Sequence, residues 1–144
     1  VIVGRNGWLT DDIRYTIQYD LESQDNIHIL NDIDDGKLAW LYKNCLFTVF
    51  PSFYEGWGMP IAESLAYGKL CISSDTSSMP EIAGDLIDYF SPYNTGQLLD
   101  RIIENLDDKT RVAKEAKIAK QYKSTSWKEM FDGIDSYIDN LNAQ

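Results

Sequence analysis

Apolar positions along this chain come in short runs set apart by polar stretches, and the spacing inside the runs alternates between a strand period and a helix period. Val1 to Gly4 is β-branched and ends in glycine. It predicts a strand, and the chain opens on it directly, as a segment of something longer would. Thr10, followed by Asp11 and Asp12, is placed to cap a helix to about Ser23, since acids favour the first turn. Asn26 to Leu30 predicts a short strand. Asp34 or Asp35 can cap a helix whose apolar residues Leu38, Ala39, Leu41 and Tyr42 recur at helical spacing. Cys45 to Phe50 reads as an apolar strand covered on both faces. A loop from Pro51 to Met59 leads into a helix that Pro60 can open, because its missing N–H is no loss in a first turn. Gly68 can stop that helix after Tyr67. Leu70 to Ser74 predicts another buried strand, Ser77 to Gly84 a loop with one helical turn, and Asp85 to Phe90 the last strand. From about Asn94 the pattern is helical in at least two pieces. A break is expected at Ser124 to Ser126, with Ser126 capping a final helix through Trp127, Met130, Phe131, Ile134, Tyr137, Ile138 and Leu141.

Strands alternating with helices predict an α/β fold, a Rossmann-like parallel sheet with right-handed crossovers and helices on both faces, followed by a helical carboxy-terminal tail. The 144 residues fit one domain, with an α/β core over 1–92 and the tail over 93–144. Ligands of such sheets bind beyond the carboxyl ends of the strands. The loops Asn31 to Asp34, Pro51 to Met59 and Asp75 to Pro80 fall there.

Charge narrows the partners. Thirteen basic residues face 23 acidic ones, for a formal net charge of −10. Nucleic acid and anionic membranes both need clustered Lys and Arg, so neither is expected as a partner. The late bases Arg101, Lys109, Arg111, Lys114, Lys117, Lys120, Lys123 and Lys128 are interleaved with acids, as on solvated helix faces. No run approaches the roughly 20 apolar residues of a membrane span, so direct membrane insertion is not expected. Cys45 and Cys71 lie in apolar runs and read as buried, reduced, structural thiols, which points to the cytoplasm. One histidine, His28, leaves no His/Cys cluster for zinc, and its alternation with Ile27 and Ile29 suits a strand side chain.

The chemistry concentrates between Pro51 and Gly68. Gly56 and Gly58 lack a Cβ, so backbone can approach a ligand closely there. Their N–H groups, with those of Trp57 and Met59, lie just before a helix, where unpaired donors and partial positive charge make a seat for a diphosphate. Glu55 in the loop and Glu63 one turn into the helix are acceptors, suited to sugar and ribose hydroxyls. They would repel phosphate at contact distance, so amides rather than acids must meet it.

This segment resembles the retaining glycosyltransferases of GT-B fold that include glycogen synthases, sucrose synthases and bacterial polysaccharide mannosyltransferases. The shared pattern has two glutamates with seven residues between them. It stands here as Pro51, Ser52, Glu55, Gly56, Gly58, Pro60, Glu63, Ala66 and Gly68. The likeness continues in Ser77 to Asp85, in Phe90-Ser91-Pro92, and upstream in Val3-Gly4, Gly7-Trp8 and Ile29-Leu30. It implies a carboxy-terminal GT-B half that binds a nucleotide diphosphate sugar, with no metal and no cofactor. Glu55, the catalytic candidate, would sit beside the donor sugar and accept from its hydroxyls. Gly56, Trp57 and Gly58 would offer N–H groups to those hydroxyls, Met59 would offer its own to the diphosphate, and Glu63 would take the ribose. Asn31 to Asp34 would border the base through backbone, with Asp34 at its edge. Trp57 replaces a more usual Phe, and either braces the loop or stacks on sugar. Glu81 is expected to brace its own loop.

The resemblance also implies what is missing. The family's amino-terminal, acceptor-binding domain is an expected partner. The second domain normally opens with a strand and a loop whose Arg and Lys neutralise the diphosphate, and this chain begins after them. Arg5 is the only early base. Negligible transfer by this chain alone is therefore expected. In the doubly wound order the lost strand is the central one. Either Val1 to Gly4 closes directly on Cys45 to Phe50, or another segment or chain fills the gap, as in a strand-pairing homo-oligomer. In the intact enzyme the reading is transfer of a hexose, GDP-mannose being the first donor, to a glycan or lipid-linked hydroxyl with retained configuration. Such an enzyme would be at most peripheral to an inner membrane face. The competing readings are a non-catalytic nucleotide-binding or scaffold module and a GT-B-fold sugar-nucleotide epimerase. The Gly-Trp-Gly between the glutamates favours a transferase over the epimerase.

Overall fold

The computed structural model describes residues 1–4, 7, 10–20 and 25–142, which fall into two units, 1–41 and 42–144. In the first, β1 (Ile2–Val3) pairs in parallel with β2 (Ile29–Leu30), Ile2 level with Ile29 and Val3 with Leu30. His28 lies just before β2. It is exposed, and its carbonyl accepts the Ile2 N–H at 2.8 Å. Helix α1 (Asp11–Tyr19) carries Asp11 and Asp12 in its first turn. Thr10 stands at the cap position, but its hydroxyl donates to the Gly7 carbonyl at 3.1 Å instead of taking a helix N–H. The expected helix end near Ser23 lies outside the described residues, as does Arg5. Asp34 begins α2 (Asp35–Asn44) by accepting the Lys37 N–H on Oδ1 at 2.8 Å.

In the second unit β3 (Thr48–Phe50), β4 (Cys71–Ser74) and β5 (Asp88–Phe90) form a parallel sheet in the order β3-β4-β5. Thr48 is level with Cys71, and Ile72 with Asp88. All four residues of β4 are buried, so this strand is covered on both faces. The same coverage expected of Cys45 to Phe50 is not found. Residues 45–47 are outside the strand and Val49 is 38% exposed, because β3 is an edge of its own ladder. The described strands make two sheets, β1-β2 in the first unit and β3-β4-β5 in the second.

Helix α3 (Met59–Ala66) packs on β3 and β4 through Ile61, Ser64 and Leu65. Gly68, at φ 70°, ends its C-terminal turn, a conformation that favours glycine. A five-residue helix, α4 (Met79–Ala83), fills the stretch expected to hold one turn. Ile61, Leu65, Leu70, Cys71, Met79, Ala83, Ile87 and Ile118 form the core. The tail is three helices, α5 (Thr95–Leu106), α6 (Asp108–Gln121) and α7 (Trp127–Asn142). The additional break falls at Asp107, which ends α5 and caps α6 by accepting the Thr110 N–H at 2.8 Å. The late bases are not all solvated. Arg111 is 8% exposed and donates to the Asn105 carbonyl and the Asp108 carboxylate. Lys114 joins Asp88, Glu104 and the Asn105 side chain. Lys114 thus ties β5 to α5 and α6, while Arg111 pairs within α6 and reaches back to the end of α5, neither of which helical spacing alone reveals. The apolar stripe of α7 stays exposed, from Trp127 at 76% to Leu141 at 55%. No described helix is long and apolar enough to cross a membrane.

Candidate functional site

The loop between β3 and α3 is held from one side by hydroxyls. Thr76 donates to the Phe53 carbonyl at 3.0 Å, Ser77 to that of Glu55 at 2.7 Å, and Ser78 to those of Glu55 at 3.0 Å and Trp57 at 2.9 Å. Ser74 donates to the Ser52 carbonyl. The Glu55 side chain is fixed as well, Oε1 accepting the Ser52 hydroxyl at 2.8 Å. The sequence names Ser52, Ser77 and Ser78 as part of the resemblance and gives none of these hydroxyls a role. Their signal is the run Ser73-Ser74-Asp75-Thr76-Ser77-Ser78 on the strand end beside the loop.

The carbonyls of Ser52, Phe53, Glu55 and Trp57 are thus occupied, while most of the N–H groups that follow are not. Glu55 N–H reaches the Ser77 hydroxyl at 3.4 Å. The N–H groups of Gly56, Trp57, Gly58 and Met59 have no partner among the described residues. Gly58 takes the N-cap place of α3 at φ 106°, where a side chain would be strained, and offers no capping group. A Cβ on Gly58 would lie 2.9 Å from Ile82 Cδ1, whereas one on Gly56 would meet nothing within 4 Å. One glycine is therefore required by the fold, and the other leaves space over the loop.

Glu63 lies one turn into α3, on the same helix that Gly58 opens. Its Oε2 accepts the Tyr42 hydroxyl at 2.8 Å, which leaves Oε1 available to a ligand. Burial, and then this bond to a carboxylate, push the Tyr42 hydroxyl well above its ordinary pKa, so it stays a donor. Tyr42 is held in turn by stacking on Tyr67, ring centroids 5.3 Å apart at 9°. Trp57, Met59 and Glu63 line a cleft of about 560 Å³ together with Tyr122, Lys123 and Trp127. Trp57 is 52% exposed, and its carbonyl accepts the Ser78 hydroxyl.

Glu55, Gly56, Trp57, Gly58, Met59 and Glu63 thus lie together in the second unit. Asp34 belongs to the first unit, where its carboxylate caps α2. The Lys37 backbone N–H, and then the Lys37 side chain at 3.3 Å, hold it below the usual carboxylate range. Glu81 is exposed in the first turn of α4. Burial pushes the Cys71 thiol up to about 12, which leaves it inert as a nucleophile. Among the described residues no three His, Cys, Asp or Glu groups gather as metal ligands.

The profile of a family described as "Glycosyl transferases group 1" matches residues 1–129. The chain is 31% identical over 128 residues to O-antigen chain mannosyltransferase B of Escherichia coli, covering 88% of this chain and 33% of that one. It is 31% identical over 65 residues to MMP alpha-(1->4)-mannosyltransferase of Mycolicibacterium hassiacum, covering 45% of this chain and 16% of that one. Among solved structures it is similar to sucrose-phosphate synthase from Thermosynechococcus elongatus, at TM-score 0.69 and 20% identity, over 91% of this chain and 34% of that one. The chain therefore spans about a third of the length of O-antigen chain mannosyltransferase B and of sucrose-phosphate synthase. The sheet order, the helix opened by Gly58, the paired glutamates and this profile lead to one conclusion: the chain belongs to the group 1 family of glycosyl transferases.

Proposed function

We propose that this chain is the donor-binding half of a retaining glycosyltransferase. The enzyme would move a hexose, mannose from GDP-mannose in the first instance, to a hydroxyl on a glycan or lipid-linked acceptor. The observation that carries the reading is the run of unpaired N–H groups from Gly56 to Met59, set between Glu55 and Glu63 at the open end of α3. Neutral donors at a positive helix end suit a diphosphate and sugar hydroxyls together. The likeness to proteins named for mannose transfer supports the choice of sugar.

In this reading Gly56, Trp57 and Gly58 donate to the sugar, Met59 N–H meets the diphosphate, and Glu63 Oε1 takes a ribose hydroxyl. Glu55 accepts from the sugar beside the reacting carbon and is not a covalent nucleophile. Catalysis comes from positioning and from stabilising the departing diphosphate. An amino-terminal domain would bring the acceptor in this reading, so the 144-residue chain alone is expected to transfer no sugar.

Titration with GDP, UDP and ADP, followed through backbone amide resonances, tests this directly. Shifts centred on Gly56 to Met59 and Glu63, for one nucleotide above the others, are expected. A folded chain with no shifts at millimolar nucleotide would sink the donor reading and favour a scaffold.

A further inference from the structure

We infer that Ser77 and Ser78 are positioning residues for the donor sugar, acting by setting the orientation of two peptide planes in the loop before α3. The inference rests on the donor-loop reading above. It starts from two oddities. Ser78 occupies the cap position of α4, yet its hydroxyl makes no cap bond and reaches across to the Glu55 and Trp57 carbonyls instead. Ser77 holds φ 56°, a left-handed conformation unfavourable for a serine, and its hydroxyl both donates to the Glu55 carbonyl and receives the Glu55 N–H. A forgone cap and a strained backbone, side by side and both resolved onto the same loop, indicate a geometry kept for the loop's sake.

The consequence follows from peptide geometry. A peptide bond is planar and trans, so a carbonyl and the N–H of the next residue point to opposite sides. The described residues contain no cis bond. Turning the Glu55 carbonyl toward Ser77 and Ser78 therefore turns the Gly56 N–H away from them. Turning the Trp57 carbonyl toward Ser78 does the same to the Gly58 N–H. Those two N–H groups are unpaired. Without the hydroxyls each plane could rotate, and the two donors would lose their common direction.

The test compares the 144-residue chain with the double variant Ser77→Gly, Ser78→Ala and with Ser78→Thr, which keeps the hydroxyl. Glycine at 77 is at ease at positive φ, and position 77 is exposed, so the double variant should fold. Residual dipolar couplings of the Gly56 and Gly58 N–H vectors should change in the double variant and hold in Ser78→Thr, with those of β4 and α3 unmoved. Affinity for GDP-mannose should fall about tenfold in the double variant while affinity for GDP stays within about twofold, since only the sugar meets these donors. Unchanged couplings would overturn the proposal, as would an equal loss for GDP and GDP-mannose, which is the mark of a general structural effect. If the unmutated chain shows no shift with any of the three nucleotides, the donor-loop reading itself fails, and that result is distinct from either of these.

Discussion

The loop before α3 and the loop before α5 lead into helices of the same unit, and the chain finishes them in opposite ways. Ahead of α5, Asn94 Oδ1 accepts the Gln97 N–H at 3.0 Å, and Gln97 Oε1 returns to the Ser91 N–H at 2.6 Å. The next two helices follow suit, α6 through Asp107 and α7 through a reciprocal box in which Ser126 and Glu129 pair at 2.7 and 3.2 Å. Ahead of α3 stands Gly58, with no side chain to offer, and four N–H groups in a row go unpaired. A chain that caps four of its helices with side chains, α2 among them through Asp34, has the means to cap α3. The polar side chains near that helix start grip carbonyls instead, and the four N–H groups stay unpaired.

Exchanging the two glycines of the α3 loop should produce the largest effect. Gly58→Ala combines a backbone at φ 106° with a Cβ 2.9 Å from Ile82 Cδ1, and should cost about 2 kcal/mol in urea denaturation. Gly56→Ala meets nothing within 4 Å and should leave stability within about 0.5 kcal/mol, while nucleotide shifts at 56–59 weaken. Equal stability of the two variants would mean that Gly58 is not required by the fold. Next in size is Asn94→Ala, which removes a cap and should cost about 1 kcal/mol with no change in nucleotide shifts. If Asn94→Ala weakened nucleotide binding as much as Gly56→Ala, the two loops would not differ in kind.

Much of this contrast was legible in the sequence. Gly56, Gly58, Pro60 and the spacing of Glu55 and Glu63 mark an uncapped helix start, and Gly68 marks its end, because glycine and proline act on the backbone locally. Ser126 with Glu129 is a local signal too. What the sequence did not disclose depends on residues far apart in the chain. The hydroxyls that grip the loop lie 21 to 23 residues beyond the carbonyls they hold, and only the parallel pairing of β3 with β4 brings them alongside. The same holds for Tyr42 and Glu63, and for Lys114, whose place in a charged set follows from β5 packing against the tail. The shortness of β3 was hidden for the converse reason, since an apolar run says nothing about which ladder edge it will occupy.

That charged set gives the smallest and last difference between the regions, one that acid should expose. Hydrogen bonding to Lys114, and then to Arg101, holds the Glu104 carboxyl below the ordinary carboxylate range. A group depressed on folding stabilises the fold above its unfolded pKa, about 4.5, and loses that contribution as pH falls through its lower folded value. The tail should therefore loosen below about pH 4.5, whereas the grip on the donor loop is made by hydroxyls that do not titrate there. Lys114 gives the opposite limb. Burial works against its charge, but Asp88 and Glu104 outweigh it and raise its pKa above 10.5, so its contribution is lost only as pH rises past that value. Because Glu104 is 41% exposed, its pair with Lys114 is screened, and Glu104→Gln should cost less than about 1 kcal/mol at neutral pH. Amide exchange read at pH 7 and pH 4 separates the two regions. The expected result is faster exchange in α5 and α6 on acidification, less so in Glu104→Gln, with the Glu55 amide, which the Ser77 hydroxyl accepts, unchanged once intrinsic rates are allowed for. Equal acid sensitivity in the loop and the tail would mean that one charged set holds both, and that the hydroxyls of Ser77 and Ser78 are not an independent support.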